Sequence, residues 1–397
     1  MPRRRPLLPR SLDDTPTALA DRPSPALPAA PGQLAGRSIA VDVLRGITIV
    51  GMVLVNNPGS SRGWKQLNHA AWNGATLADL VFPGFLFVMG VSISLAFARR
   101  RAAPAFRMPV AARQIVRRAL LLIAIGVVLN WLNPLTGGAL RYPGVLQRIG
   151  LAYLVAAMVV LLLPLPGQLV VGAALMGGYW LALLHFHVPG HGAGVLTPAG
   201  NFAGWVDRSV FGQAHLYRHA PYDPEGLAST ADAVVSVLAG VWAGEWLRRR
   251  GRSGEAAAAL AAVAVAVLGV AWWWRQWLPL NKRLWSPSYT LWTAGWLALA
   301  LAVLWGLIEV RGWRWMRQPW AILGANALLL YIVTELGDRV TQVTHVGQLT
   351  VHAWTYDRWF ASWLTAVPAS LAWSVSFLAI WGLACSLLYR RGVFLRL

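Results

Sequence analysis

The sequence predicts an all-α fold, a polytopic integral membrane helical bundle of about ten transmembrane helices with both termini cytoplasmic. Three observations predict it. Of 397 residues, 57% are hydrophobic and 13% charged, with 23 Trp and a mean hydropathy of +0.50, whereas soluble domains carry about 25% charged residues. The apolar residues come in blocks of about 20, the length a helix needs to cross a hydrocarbon core of about 30 Å. The basic residues gather in the connections between blocks, and their density alternates from one connection to the next.

Residues 1 to 36 hold eight prolines, six of them between positions 9 and 31, and no apolar run of signal-peptide length. They read as a disordered Pro/Arg-rich cytoplasmic tail. Residues 37 to 397 form the membrane domain. Its expected spans are 39 to 56, 76 to 98, 113 to 132, 144 to 163, 167 to 186, 228 to 247, 256 to 275, 287 to 308, 319 to 337 and 362 to 389. The last is long enough to tilt, or to kink at Pro368. With the N-terminus inside, 23 Lys and Arg fall on the cytoplasmic side and 10 on the other, and Arg45 and Arg148 lie within spans. That bias places both termini in the cytoplasm, and an even number of spans agrees. It leaves the connection after the first span and the loop 187 to 227 on the outer face. A loop of that length without clear secondary structure reads as a binding loop or lid.

Several function classes drop out. The net charge of +20 comes from 33 Arg and 2 Lys dispersed over interhelical connections, which is a topology signal and gives no reason to expect a nucleic-acid partner. The single Cys385 lies in the last apolar block, so neither an intrachain disulfide nor a cysteine metal cluster is expected. His185, His187 and His191 match no strong zinc spacing, and no metal cofactor is expected. No phosphate-binding glycine motif follows a strand, and no internal repeat marks an inverted-repeat transporter.

The stretch from Asn56 to Pro83 concentrates polar residues between and at the edges of two spans. Burying such groups without partners costs several kcal/mol each, and ionisable residues at membrane depth mark function by default. His69 is the foremost candidate, because an imidazole exchanges protons near neutral pH. Asp79, at the start of the second span, is placed to fix its tautomer, and Trp72 to shield the pair from water. Asn56 and Asn73 offer amide donors for a carbonyl oxygen that becomes negative during acyl transfer; Asn56 serves equally well to satisfy its helix end. Asp42 and Arg45 share one helical face near the cytoplasmic end, either as a self-compensating pair or as part of a site for an anionic cofactor. On the outer loop, Asp223 and Glu225 supply carboxylates beside aromatic residues, a mixture suited to an amino sugar or to capping the next helix.

The runs RSIAVDVLRGITIVGMVLVNN, NHAAWNGATLADLVFPGFLFVMG and PGVLQRIGLAY resemble those of the heparan-α-glucosaminide N-acetyltransferase family, the lysosomal transmembrane acetyltransferase and its bacterial relatives. The resemblance continues through GWVDRSVFGQAHLYRHAPYDPEGLAST, LPLNKRLWSPSYTLWTAGW and GANALLLYIVTEL, in order across residues 37 to 397. It implies a membrane-embedded acyltransferase that takes acetyl from cytosolic acetyl-CoA and delivers it to a glucosamine-type amine on the far side. It assigns His69 as the active histidine and implicates Asn56. It also suggests a homodimer, for which no small-residue seam in the sequence argues independently. The Arg- and Ala-rich composition places such a protein in a bacterial inner membrane, where the acceptor is an amino sugar or glycan other than heparan sulfate. The lysosomal enzyme has an additional luminal domain and one more span, and its loop before the histidine places a basic residue where this chain has Asn68. A proton-coupled sugar or amino-sugar transporter and an envelope-glycan O-acetyltransferase are the rival readings.

Overall fold

The computed structural model describes residues 38–132, 139–313 and 317–391. The tail expected over residues 1 to 36 lies outside the described residues. The apolar blocks become the helices α1 (Ile39–Asn56), α2 (Ala78–Arg101), α3 (Met108–Trp131), α4 (Val145–Leu162), α5 (Leu165–His185), α7 (Thr230–Arg250), α8 (Gly254–Trp274), α9 (Pro287–Leu304) and α13 (Ala366–Arg390). A π-helical turn, Trp305–Val310, extends α9. Seven of these, α1, α2, α4, α5, α8, extended α9 and α13, are long and apolar enough to cross a membrane. The protein is an all-α polytopic membrane protein.

The span expected over 319 to 337 is broken. It forms α10 (Arg317–Ala325) and α11 (Ala327–Val343), bent by 74°. Asn326 sits at the break with 1% exposure, and its own backbone leaves the helical region. Pro368, expected as a kink, instead falls in the first turn of α13. There its missing N–H has no helical partner to lose, so the helix runs on unbroken. The long loop 187 to 227 also carries more structure than expected: a short helix, α6 (Phe202–Phe211), with Asn201 accepting the Gly204 N–H as its cap, followed by two single 3₁₀ turns. A two-residue hairpin (β1, His345–Val346; β2, Leu349–Thr350) and α12 (Val351–Tyr356) lie between α11 and α13.

The closest helix crossing is α2 against α7. A Cβ built on Gly90 would run into the Val237 carbonyl, and one on Gly240 into the Phe87 carbonyl. Small residues let two backbones approach in this way, which is how membrane helices gain packing energy without a hydrophobic drive. Around the crossing, Leu86, Val91, Val237 and Leu238 are buried. At one end of the bundle Glu309, at the end of extended α9, accepts from the Ser38 hydroxyl (2.9 Å) and the Ala40 N–H (3.2 Å) and pairs with Arg252 (3.0 Å), tying α1 to the α7–α8 connection. At the opposite end, the connections after α1, α3, α5, α8 and α11 converge. Trp72 Nε1 donates to the Leu196 carbonyl, Tyr142 N–H to that of His215, and His352 Nε2 lies 3.1 Å from that of Gly59.

Candidate active site

At that converged end α2 begins with Ala78-Asp79, which puts the Asp79 carboxylate in the first turn, where free N–H groups and the helix dipole favour an anion. Its side chain is fully buried. Oδ2 accepts the Ala70 N–H (3.1 Å), the Thr76 N–H (3.0 Å) and the Thr76 hydroxyl (3.1 Å). Oδ1 lies 2.8 Å from His69 Nδ1. A carboxylate only accepts, so Nδ1 carries the proton and the Nε2 lone pair is free. The His69 side chain is 39% exposed above its buried partner, which tethers Nδ1.

A second loop reaches the same ring. Lys282, between α8 and α9, places its ammonium 3.0 Å from Nδ1 and 3.1 Å from Nε2 of His69, and 3.7 Å from Asp79. Nearly equal distances to the two ring nitrogens put the ammonium against the face of the imidazole, beside Nε2 and out of line with its in-plane lone pair. Burial pushes the Lys282 ammonium below its ordinary range, against the pull of Asp79 and Glu225. Lys282 was not among the residues expected from sequence. One signal for it existed: it is one of two lysines in a chain with 33 arginines, inside the run LPLNKRLWSPSYT.

The Lys282 loop is rigidly built. Asn281 N–H donates to Ser286 Oγ (3.1 Å), the Ser286 hydroxyl to the Pro279 carbonyl (2.9 Å), and the Leu284 N–H to Asn281 Oδ1 (2.9 Å). Trp285 holds φ +51, a region that costs a bulky side chain energy. Its surroundings hold it there: the ring lies edge-on to Phe82 (5.2 Å) and Tyr289 (5.5 Å), Arg148 lies over it (5.0 Å), and Nε1 donates to Ser236 (3.1 Å). The loop is joined to the His69 segment by Asn281 Nδ2 donating to Asn73 Oδ1 (3.1 Å) and by the Gly74 N–H donating to the Leu280 carbonyl (2.8 Å). Gly74 adopts φ +106, a conformation that favours glycine. The Tyr289 hydroxyl then donates to the Asp79 carbonyl (2.5 Å).

Of the residues expected from sequence, His69, Asp79 and Asn73 come together. Trp72 lies beside them, its indole edge-to-face with Tyr222 (4.9 Å), and the Tyr222 hydroxyl accepts from Arg283 of the Lys282 loop. Asn56 faces another group, lying beside the Glu335 carboxylate of α11. The end of α1 is satisfied by its neighbour Asn57, whose amide donates to the Val53 carbonyl (2.9 Å) while its own carbonyl accepts from Ser374 (2.8 Å). Asp42 and Arg45 pair at 3.2 Å, with Arg45 also donating to Ser92 (2.8 Å). They lie toward the opposite end of α1, about 21 Å along the helix from Asn56 to Asp42 at 1.5 Å per residue.

Asp223 and Glu225 are drawn into an ion cluster. Arg141 donates to Asp223 Oδ2 (2.9 Å) and Oδ1 (2.5 Å) and to Glu225 Oε2 (2.5 Å). Burial works against the guanidinium charge, but Asp223 and then Glu225 outweigh it and raise the Arg141 pKa. Asp223 also accepts the Tyr217 N–H (2.8 Å) and is fully buried, so it shapes the loop, whereas Glu225 keeps some exposure. Asp207 of α6 supports the same turn by accepting the Leu227 N–H (2.8 Å) and the Asp223 N–H (3.2 Å). Burial pushes its pKa up to about 6, against those two hydrogen bonds. A carboxyl raised in the folded state contributes stability below its unfolded pKa and loses it as pH rises through the folded value. The stability of the native protein relative to Asp207→Asn should therefore fall between about pH 4 and pH 6, by on the order of 2 kcal/mol. Thermal unfolding in detergent across that range checks it, and a constant difference counts against the assignment.

Residues 37–200 match the family model described as heparan-alpha-glucosaminide N-acetyltransferase, catalytic, the part of the chain that holds His69 and Asp79. The human protein named heparan-alpha-glucosaminide N-acetyltransferase is 33% identical over 354 residues, covering 75% of this chain and 52% of the relative. The chain belongs to the heparan-α-glucosaminide N-acetyltransferase family. The mouse protein of that name is 32% identical over 356 residues, covering 76% of this chain and 54% of its own length. The chain thus spans about half the length of the curated relatives it matches. Within the heparan-α-glucosaminide N-acetyltransferase family model, the matched residues 37–200 stop short of the Lys282 loop and the Arg141 cluster's partners Asp223 and Glu225.

Proposed function

We propose that this chain is a transmembrane N-acetyltransferase that moves acetyl from cytosolic acetyl-CoA to the amine of a glucosamine-type sugar or glycan on the extracytoplasmic side, in a bacterial inner membrane. The observation that carries the reading is the His69–Asp79 pair, a reachable imidazole oriented by a buried carboxylate at 2.8 Å. The fixed Nδ1 proton leaves Nε2 as the base that takes the proton of the attacking amine. The family relationship supports the acetyl donor and the amino-sugar class.

In this reading Asp42 and Arg45 mark the cytoplasmic entry for the anionic end of CoA, and the pantetheine arm runs along α1 toward Asn56. Trp72 and Tyr222 form an aromatic wall for the sugar face, and Glu225 is the carboxylate at its edge. Asn73 has Oδ1 committed to Asn281, which turns its amide donors outward toward the acceptor.

The test is acetyl transfer by purified protein in detergent, with labelled acetyl-CoA and a panel of amino sugars and glycans. Label appearing in an amino sugar is the expected result. Uptake of sugar into proteoliposomes with no acyl transfer to any acceptor would overturn the enzyme reading in favour of a transporter. Single-turnover reaction without acceptor distinguishes the two transfer routes: label retained by denatured protein indicates acetyl-His69, and its absence indicates direct attack.

A further inference from the structure

We propose that Lys282 is a catalytic residue, its ammonium being the donor that receives the oxyanion formed when the acceptor amine attacks the thioester. The inference rests on reading His69 as the base. If Nε2 takes the amine proton, the amine nitrogen lies about 3 Å from Nε2 and the carbonyl carbon within about 3.5 Å of that nitrogen. The carbonyl oxygen is then inside the sweep of a group that already touches the ring. Lys282 Nζ is such a group, 3.1 Å from Nε2. When the amine takes its place on Nε2, the ammonium moves by one hydrogen-bond length onto the oxygen.

The amide donors differ from this ammonium. Asn56 lies beside Glu335, and Asn73, fixed through its oxygen to Asn281, keeps its NH₂ toward the acceptor. Lys282 differs from both in bringing full charge, which in a site shielded from water is worth more to a developing anion than a neutral amide. The titratable groups facing Lys282 are Asp79 at the start of α2, His69 before it, Glu225 from the loop before α7, and Arg283 on its own loop. Asp79 balances the ammonium in the resting state at 3.7 Å without capturing it in a short hydrogen bond. The strained, tightly packed Trp285 three residues on fixes the loop's direction.

The step balances without a further reactant. The amine nitrogen bonds to the carbonyl carbon, the C=O π pair moves to oxygen and is held by Lys282, and Nε2 of His69 takes the N–H proton. The pair returns to re-form C=O, the C–S bond breaks, and the departing thiolate takes the proton from His69. Lys282 ends the cycle as the ammonium it began.

The experiment compares native protein, Lys282→Met, Lys282→Arg and His69→Ala in acetyl transfer from acetyl-CoA, over pH 6 to about 10.5, the upper end of the ordinary lysine range. Lys282→Met should lose on the order of 10²–10³ in kcat, with KM for acetyl-CoA changed by less than about three-fold. The native profile should fall at high pH, below the ordinary lysine range, because burial lowers the Lys282 pKa. Lys282→Arg, whose guanidinium stays charged, should recover part of kcat and lose that high-pH fall. If Lys282→Met does not yield monodisperse protein, the kcat and pH limb of Lys282→Arg decide alone. A Lys282→Met kcat within about three-fold of native, or a Lys282→Arg profile that falls where the native one does, overturns the proposal. Those results with an inactive His69→Ala protein leave the enzyme reading standing. Native protein that acetylates nothing removes both.

Discussion

Asp79→Asn is expected to silence acetyl transfer as thoroughly as His69→Ala while leaving the protein folded. The amide would keep an oxygen for the Ala70 and Thr76 donors and turn its NH₂ toward His69 Nδ1. A donor facing Nδ1 makes that nitrogen the acceptor and moves the ring proton to Nε2, which removes the lone pair from the side the acceptor meets. The same exchange in a serine-protease triad costs about 10⁴ in kcat, and a loss on the order of 10³–10⁴ is expected here. His69→Ala removes the base outright and should cost on the order of 10²–10⁴. Initial rates of acetyl transfer, with size-exclusion profiles as the folding control, measure both. An Asp79→Asn protein with more than about one tenth of native kcat would sink the assignment of Nε2 as the base.

The largest stability effect is expected at the α2–α7 crossing. Gly240→Val would drive its Cβ into the Phe87 carbonyl, and backbone cannot rotate aside as a flexible side chain does. A cost of at least about 3 kcal/mol is expected, enough to lower the Tm sharply in detergent or to prevent recovery of monodisperse protein. Gly177→Val on α5 is the control, because a Cβ there meets nothing within 4 Å. Similar Tm values for the two variants would mean that the crossing is not close-packed.

The helices were legible because a bilayer demands long apolar runs with satisfied backbones, and such runs stand out in one dimension. The exceptions were local. Asn326 breaks a run whose hydropathy continues through it, and Pro368 is harmless because it lies in a first turn. In the site, His69 and Asp79 are ten residues apart, so their pairing could be anticipated from the chain. Lys282 could not be placed in the same way. It is 213 residues away from His69, and the bonds that aim it, from Asn281, Ser286 and Trp285, produce no periodicity. The pairing of Asp223 and Glu225 with Arg141, more than 80 residues away, was likewise not legible in the sequence. Asn57, rather than the adjacent Asn56, closes the helix, a distinction of one residue that only the fold resolves.

The Asp79 carboxylate has a bearing on how acceptor preference can be altered. One of its oxygens gathers the Ala70 and Thr76 donors that shape the loop, and the other orients the imidazole. Loop shape and imidazole position are therefore one variable, and on the proposed reading remodelling the segment around His69 to suit a new acceptor would move the base with it. Glu225 is held by a separate anchor, Arg141, whereas Tyr222 is held by Trp72 and by Arg283 of the Lys282 loop. On the proposed reading Glu225 is the position to vary in a selection for new acceptors, with Arg141 and the buried Asp223 kept in place.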